Sequence, residues 1–178
     1  MNENPDPNGG LAAPVFVEDL FLTDVFLIKG RLQNKTMRLS NVLEDYQRSY
    51  LAVQDATLVS LRNNEVIKTP TVMVNTRELI LAHELVDVAG DDTLRRLAGN
   101  EKRNRIRAFY NGSVQFEIGG QIEPGAYESS PMTGRKYFIM ESPTVRGLDL
   151  KHPELKILDG LQYAILRKDR MAYVYDFG

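Results

Sequence analysis

The chain of 178 residues contains no cysteine, no tryptophan and only two histidines. The absence of cysteine excludes disulfides, thiolate catalysis, and zinc or iron–sulfur sites held by cysteine. His83 and His152 form no metal-binding pair, so we expect no metal site and no cofactor, and we interpret both as structural. No apolar run approaches the roughly 20 residues of a membrane span, and no signal peptide is recognised. We therefore expect a cytoplasmic protein that does not enter a membrane.

Motifs of the common enzyme classes are also missing. The sequence has no nucleophile elbow, no glycine-rich phosphate loop and no dinucleotide-binding fingerprint. Adjacent acids such as Glu44 and Asp45 point to opposite faces of a strand and do not form a catalytic pair. Lys and Arg number 22 against 24 Asp and Glu, so no global field draws the chain to nucleic acid. We predict a non-enzymatic protein without catalytic residues.

The sequence does contain many β-forming segments separated by turn residues. Residues 36–61 organise the chain, and we interpret them as two strands that meet at a bulky, charged bend over residues 43–48. The apolar run 25–28 (VFLI) predicts a strand buried on both faces. Asn111-Gly112 between alternating runs predicts a tight two-residue hairpin. These segments together indicate a mostly-β fold.

The two halves of the chain can be aligned with each other. Each half is predicted to end in a hairpin, formed by residues 72–74 and 79–81 in the first half and centred on Lys168-Asp169 in the second. The aligned positions are Phe26, Ile28, Gly30 and Leu32 with Phe116, Ile118, Gly120 and Ile122, residues 50–53 with 137–140, and residues 72–74 and 79–81 with 164–166 and 171–173. We interpret this as an internal repeat of about 90 residues. The alternative is a single continuous β domain whose strands share a composition.

The chain therefore divides into four predicted parts. Residues 1–14, rich in Asn, Pro and Gly, form a disordered tail with too little apolar surface to fold. Residues 15–90 and 106–178 form two small β-barrels. Residues 91–105 join them as a short helical connector, because acids lead and bases follow along this segment.

Residues in the first half resemble an Sm-like domain, the small barrel of Sm, LSm and bacterial host-factor RNA chaperones. The resemblance rests on residues 38–46 (RLSNVLEDY), residues 50–56 (YLAVQDA) and residues 72–81 (VMVNTRELIL). The sequence departs from the family at Arg48-Ser49, where an asparagine is expected, and at Asn75-Thr76, where Arg-Gly is expected. The second half has neither loop motif. The resemblance implies two tandem Sm-like small β-barrels joined by a short helix.

The same resemblance implies candidate RNA contacts. In the family, two signature loops hold RNA bases, and hairpin edges pair between subunits into rings. Carried over by position, the implied RNA-binding residues are Asp45, Tyr46, Arg48, Asn75, Thr76 and Arg77. The basic connector, with Arg95, Arg96, Lys102, Arg103 and Arg105, is a further candidate for phosphate contacts. The alternative interpretation of the connector is a solvated helix.

Apolar strand edges are the last candidate feature, since an open edge pairs with another chain unless it is blunted. The predicted oligomer edges are Val72, Met73 and Val74 in the first half and Ala164, Ile165 and Leu166 in the second. We expect a homo-oligomer, a ring or a filament, that presents its loops to a partner which the sequence does not identify. The alternatives are an RNA-binding Sm-like protein and a β-barrel that senses a small molecule.

Overall fold

The computed structural model describes residues 18–45, 47–85, 102–129 and 134–178. In these ranges ten strands form one antiparallel sheet. The strands are β1 (Asp19–Leu22), β2 (Phe26–Leu32), β3 (Tyr50–Ser60), β4 (Val66–Asn75), β5 (Leu81–Glu84), β6 (Asn104–Tyr110), β7 (Phe116–Ile122), β8 (Tyr137–Arg146), β9 (Tyr163–Arg167) and β10 (Tyr173–Asp176). The helical elements are α1 (Leu39–Glu44) and single 3₁₀ turns at Thr76–Glu78, Lys156–Leu158 and Lys168–Arg170. The predicted mostly-β class is confirmed.

The order of the strands divides the sheet into two halves. That order is β10-β6-β7-β8-β9-β5-β1-β2-β3-β4. Strands β1–β5 form the first half and β6–β10 the second, and each half has the order fifth, first, second, third, fourth. The halves meet where β5 pairs with β9, which we call the internal joint. The result is one open sheet with β4 and β10 at its edges, rather than two separately closed barrels, because β5 and β9 pair across the halves.

The strands near the internal joint are buried on both faces. Leu20 and Leu22 of β1 lie in one apolar core, and Phe21 between them lies in the other. Successive side chains of a strand point to opposite faces, so the two cores lie on opposite sides of β1. The predicted two-sided burial of residues 25–28 is confirmed for Leu27 and Ile28, which belong to different cores.

The segment before the predicted bend is a helix and not a strand. Leu39, Val42 and Leu43 are the buried residues of α1, and their spacing of three and four matches the helical period. Glu44 at the end of α1 accepts hydrogen bonds from the backbone N–H groups of Lys136 and Tyr137, both at 3.0 Å. The first acidic residue of the bend therefore anchors the helix to the second half. The segment after the bend is a strand, β3, as predicted.

The closing hairpins do not form in either half. Strand β4 pairs with β3, whereas β5 pairs with β1 and β9. In the second half β9 pairs with β8 and β5, and β10 pairs with β6. A 3₁₀ turn separates the two strands in each case, at Thr76–Glu78 and at Lys168–Arg170. The hairpin prediction was wrong twice for one reason: alternation reveals strands but not their partners.

Strands β6 and β7 do pair as a hairpin, but not through a two-residue turn. The connecting loop covers residues 111–115. A Cβ atom on Gly112 would fall 2.6 Å from Oδ2 of Asp24. The close approach of the first half, rather than the turn, requires glycine at this position.

The aligned sequence blocks occupy equivalent places in the two halves. Gly30 on β2 and Gly120 on β7 each lie at an irregularity in the pairing with the third strand of their half. On that third strand stands a non-glycine residue with positive φ, Asp55 at 48° in β3 and Ser142 at 47° in β8. The two halves thus share a strand order and a β-bulge.

The predicted domain boundaries stay predictions. Strand β6 begins at Asn104, two residues before the predicted start of the second barrel. The tail of residues 1–14 and residues 91–101 of the helical connector, with Arg95 and Arg96, lie outside the described residues.

Candidate functional site

Strand β4 forms one edge of the sheet, and the predicted edge residues of the first half lie on it. Met73 points away from the core of its own half and is exposed, whereas Val74 is buried in that core. Pro70 lies in the same strand and lacks a backbone N–H, which removes one donor. Val72, Met73 and Val74 thus have the predicted position, and their pairing with another chain stays a prediction.

The predicted edge of the second half was wrong. Ala164, Ile165 and Leu166 lie on β9, which is paired on both sides, and all three are buried. The free edge is β10, which sequence reasoning missed as an edge. A usable signal was the alternation of Tyr173 and Tyr175, which places both side chains on one face of this short strand, where both are exposed.

The internal joint exchanges side chains between the cores of the two halves. Its paired residues are Leu81 with Leu166 and Ala82 with Ile165. Ile165 belongs to the core that contains α1 of the first half, and Leu81 belongs to the core of the second half. Each joint strand therefore places one side chain into the core of the opposite half.

A buried arginine closes the internal joint. The Arg167 Nη1 donates to the backbone oxygen of Thr76 at 2.6 Å and to the Tyr137 hydroxyl at 3.3 Å. The other guanidinium nitrogens donate to Asp169 at 2.5 and 2.8 Å. These bonds raise the pKa of Arg167 and lower that of Asp169, so the pair stays charged. Burial raises the pKa of Tyr137, which stays a neutral hydroxyl.

Two loops that the Sm resemblance singled out come together beside this joint. The Thr76 backbone N–H donates to the Ser49 oxygen at 2.9 Å, and the Thr76 hydroxyl donates to the Arg48 oxygen at 3.2 Å. We call residues 45–49 and 75–77 the corner loops. Thr76 is buried in these bonds, so its role there is structural.

The remaining corner-loop residues lie nearer the surface. Arg48 is exposed and pairs with Asp45 at 3.1 Å. Arg77 is exposed, and its backbone N–H donates to the Asn75 side chain at 2.9 Å. Tyr46 lies outside the described residues. The structure thus brings Asp45, Arg48, Asn75, Thr76 and Arg77 together.

The structure describes three of the five predicted residues of the basic connector: Lys102, Arg103 and Arg105. Lys102 is exposed, and Arg103 pairs with Glu141 at 3.1 Å. Arg105 lies within β6 and points into a different feature, an open cleft. These three residues thus have different contacts, and phosphate binding by the connector stays a prediction.

That feature, which we call the arginine cleft, lies on the outer face of β6, β7 and β8. It has a volume of about 250 Å³ and is lined by Arg105, Arg107, Glu117, Gly119, Gly120, Gln121, Ser142, Thr144 and Arg146. Arg146 pairs with Glu117 at 3.6 Å. The guanidinium carbons of Arg105 and Arg107 each lie 5.8 Å from the centre of the Phe177 ring. The sequence contained a partial signal, because two basic residues separated by one position share a face of a strand.

The alternative of a β-barrel that senses a small molecule stays a prediction. A cavity between β1, β2, β3 and the chain near Glu154 and Ile157 has a volume of only about 10 Å³, room for about one water molecule. Within the described ranges, acidic and histidine side chains form no group of three or more suited to a metal ion. Nor does any described helix have the length and apolar character needed to cross a bilayer.

Comparison with known proteins found no matching family model, no matching curated protein and no matching solved structure. The function is therefore argued from the geometry of the chain itself.

Proposed function

We propose that this protein is a non-catalytic module that assembles head to tail through β4 and β10 and presents its loops to a partner. The observation that supports the proposal is that the two edge strands are equivalent to the two strands that pair at the internal joint. Strand β4 holds the place in the first half that β9 holds in the second, and β10 corresponds to β5. The free edges are thus the counterparts of the two strands that already pair at the internal joint. Because a β4–β10 contact joins two different surfaces, it yields a ring or an open filament.

The repeat also predicts the register of the contact. Equivalent residues of β5 and β10 are 92 positions apart, so that residues 81 and 82 correspond to residues 173 and 174. Equivalent residues of β4 and β9 are also 92 positions apart, so that residues 73 and 74 correspond to residues 165 and 166. The internal pairs Leu81–Leu166 and Ala82–Ile165 therefore translate into Tyr173–Val74 and Val174–Met73 between two copies.

Side-chain exposure supports this register. At the internal joint Leu81 is 0% and Ile165 3% exposed, whereas their counterparts Tyr173 and Met73 are 73% and 59% exposed. Ile165 is buried because it enters the core of the opposite half. In an assembly Met73 would enter the second-half core of the next copy in the same way. Removal of this apolar surface from water favours the contact.

A cysteine pair tests the register directly, because the chain has no cysteine of its own. We expect Met73→Cys with Val174→Cys in one chain to form disulfide-linked oligomers on oxidation. Side chains directly opposite in an antiparallel pair lie about 4.5–5.5 Å apart at Cβ, close to disulfide distance. The matched control, Met73→Cys with Tyr175→Cys, is one residue out of register and should cross-link far less. Equal cross-linking of both pairs would contradict the register.

The assembly itself is tested by mass photometry and light scattering. The wild-type chain should form discrete oligomers at micromolar concentration, and Met73→Lys should give monomers because it would bury a charge in the neighbouring core. Ile139→Lys is the control, since Ile139 is similarly exposed but lies on β8, away from either free edge. A monomeric wild-type chain up to about 100 µM, well above the ~1 µM range of modest interfaces, would overturn the proposal.

RNA binding at the corner loops is a second candidate function, favoured by the convergence of the two loops and by the exposed Arg48 and Arg77. Binding of a labelled single-stranded RNA should weaken in the double variant Arg48→Ala/Arg77→Ala and fall steeply with salt. Arg62→Ala, at an exposed turn between β3 and β4, is the control. Tyr46→Ala tests the remaining predicted contact. Unchanged binding in the double variant would rule out the corner loops.

A further inference from the structure

The arginine cleft concentrates positive charge in a chain whose net charge is -2. Arg105 and Arg107 alternate with buried residues along β6, so both side chains point to the outer face of the sheet. Arg146 reaches the same cleft from β8. Glu117 is the one carboxylate in its lining and pairs with Arg146. Within the described ranges, neither Arg105 nor Arg107 forms an ion pair with a carboxylate.

Strand β7 contributes two glycines, Gly119 and Gly120, to the lining of the cleft. A Cβ atom built on Gly119 would lie in van der Waals contact with the Arg107 side chain, at 3.5 Å from its Cγ, so Gly119 lies directly against one of the cations. Gln121, Ser142 and Thr144 add an amide and two hydroxyl groups to the lining. Guanidinium groups joined by neutral donors are the set that recognises phosphate oxygens. The volume of about 250 Å³ lies near the lower limit of roughly 300 Å³ for small-molecule sites, which suits one phosphorylated unit.

Aromatic rings flank the cleft on the β10 side. Phe177 packs against both Arg105 and Arg107, and its centroid lies 4.6 Å from that of Tyr175 in an edge-to-face contact. Both rings remain at least half exposed. An exposed ring beside arginines provides a stacking surface for a nucleobase, and stacking tolerates any base. We infer that the arginine cleft binds a nucleotide unit, free or within a single-stranded nucleic acid, with its phosphate on Arg105, Arg107 and Arg146.

The first half shows that the charge of this face is not dictated by the fold. Leu20 on β1 and Val59 on β3 hold the places that Arg107 and Arg146 hold in the second half. There the apolar face is covered by the chain around Glu154 and Ile157. The inference does not rest on head-to-tail assembly, because β6 and β8 are interior strands.

Binding measurements on the full chain test the inference. Fluorescence anisotropy with a labelled single-stranded 12-mer RNA, and calorimetry with uridine and adenosine monophosphates, should detect binding in low salt. We expect Arg105→Gln/Arg107→Gln to weaken binding at least about tenfold and to lower the salt slope by about 0.7 for each lost phosphate contact on the oligonucleotide. Phe177→Leu should weaken binding about fivefold or more through lost stacking.

Controls separate this cleft from the other surfaces. Arg62→Gln, at the exposed turn between β3 and β4, should leave binding within about twofold, since Arg62 does not line the cleft. Thermal unfolding checks that the cleft variants remain folded, since Arg105 is exposed but Arg107 is partly buried. Competition by mononucleotides indicates a free nucleotide as the ligand, and binding of the 12-mer alone indicates the polymer. Absence of both, or binding that the cleft variants leave unchanged, overturns the inference.

Discussion

The outer faces of the two halves differ although the strands beneath them match. In the first half this face is apolar, and Leu155 and Leu158 of the second half lie in the same core as Leu20 and Val59. In the second half the equivalent face carries the arginine cleft. The strand order and the bulge are common to both halves, so they do not determine the chemistry of the face. The chemistry follows from whether another part of the chain covers it.

The connections after the third strand account for the difference. In the first half residues 61–65 join β3 to β4, and in the second half residues 147–162 join β8 to β9. The longer connection crosses to the first half, where Asp149 accepts a hydrogen bond from Asn64 at 3.1 Å and Glu154 pairs with Lys29 at 3.9 Å. The short connection has no comparable length with which to cover a neighbouring face. One long loop therefore makes two equivalent units different.

Replacement of Arg167 at the internal joint should have the largest effect on stability among the predictions that compare the two halves. Arg167→Ala removes the buried donor to the Thr76 oxygen and the Tyr137 hydroxyl, and it should lower the free energy of unfolding by about 3 kcal/mol. Its repeat counterpart Asn75 has a less buried side-chain bond, so Asn75→Ala should cost only about 1 kcal/mol. Urea unfolding of both variants, in a Met73→Lys background that prevents assembly, measures the difference. Equal losses would mean that the arginine network does not hold the halves together.

Asp19 should add a pH dependence to the stability of the protein that has no counterpart at the equivalent position of the second half. Its carboxylate is fully buried, and burial raises its pKa from 3.8 to about 6, although Lys35 at 2.6 Å opposes the shift. A raised folded-state pKa means that the contribution to stability is complete below pH 4 and is lost as the pH rises through 6. The loss is about 3 kcal/mol for a shift of this size. The equivalent residue of the second half, also opposite the bulge glycine, is Ile106, which does not titrate.

Unfolding in urea between pH 4 and 7 measures this dependence. Asp19→Asn should remove most of the decline in that interval, while Glu84, which also contacts Lys35 at 2.6 Å, remains in place as an internal reference. A decline of the same size in Asp19→Asn would assign the effect to another group.

Gly30 and Gly120, the glycines at the two β-bulges, test whether the bulges of the two halves are structurally equivalent. A Cβ on Gly30 would fall 2.7 Å from the backbone oxygen of Gln54, and one on Gly120 would fall 2.8 Å from that of Glu141. Each Gly→Ala variant should therefore lose about 2 kcal/mol through overpacking. Gly119→Ala is the matched control beside Gly120 and should stay within about 0.5 kcal/mol of wild type. Thermal unfolding that spares either Gly30→Ala or Gly120→Ala would show that the bulges are not equivalent.

The sequence predicted the strands better than their pairing. Alternation and the starts at Tyr50 and Tyr137 located β3 and β8, and the alignment placed Gly30 and Gly120 at equivalent positions because the bulge admits no side chain there. Six residues of α1 are too short for a helical period to be distinguished from a strand. The hairpins failed because the partners of β5 and β10 lie far away in sequence.

The sites show the same limit. Val72, Met73 and Val74 were predicted as an edge from their apolar composition, and they lie on the edge strand β4. Ala164, Ile165 and Leu166 have the same composition, but the internal joint uses them. The arginine cleft could not be predicted from the sequence, because Arg146 comes close to Arg105 and Arg107 only through the pairing of β7 with β8. A local pattern therefore predicts a strand, while a site made by three strands depends on the topology.

The internal joint also limits how an assembly grows. Its two partners are tied by one chain, so their effective concentration is high at any dilution, whereas the proposed β4–β10 contact would form and break with the concentration of the protein. In a head-to-tail array permanent and reversible contacts would alternate. Such an array gains or loses five-stranded units only in pairs. A closed ring of this chain therefore has an even number of units, and only every second unit carries an arginine cleft.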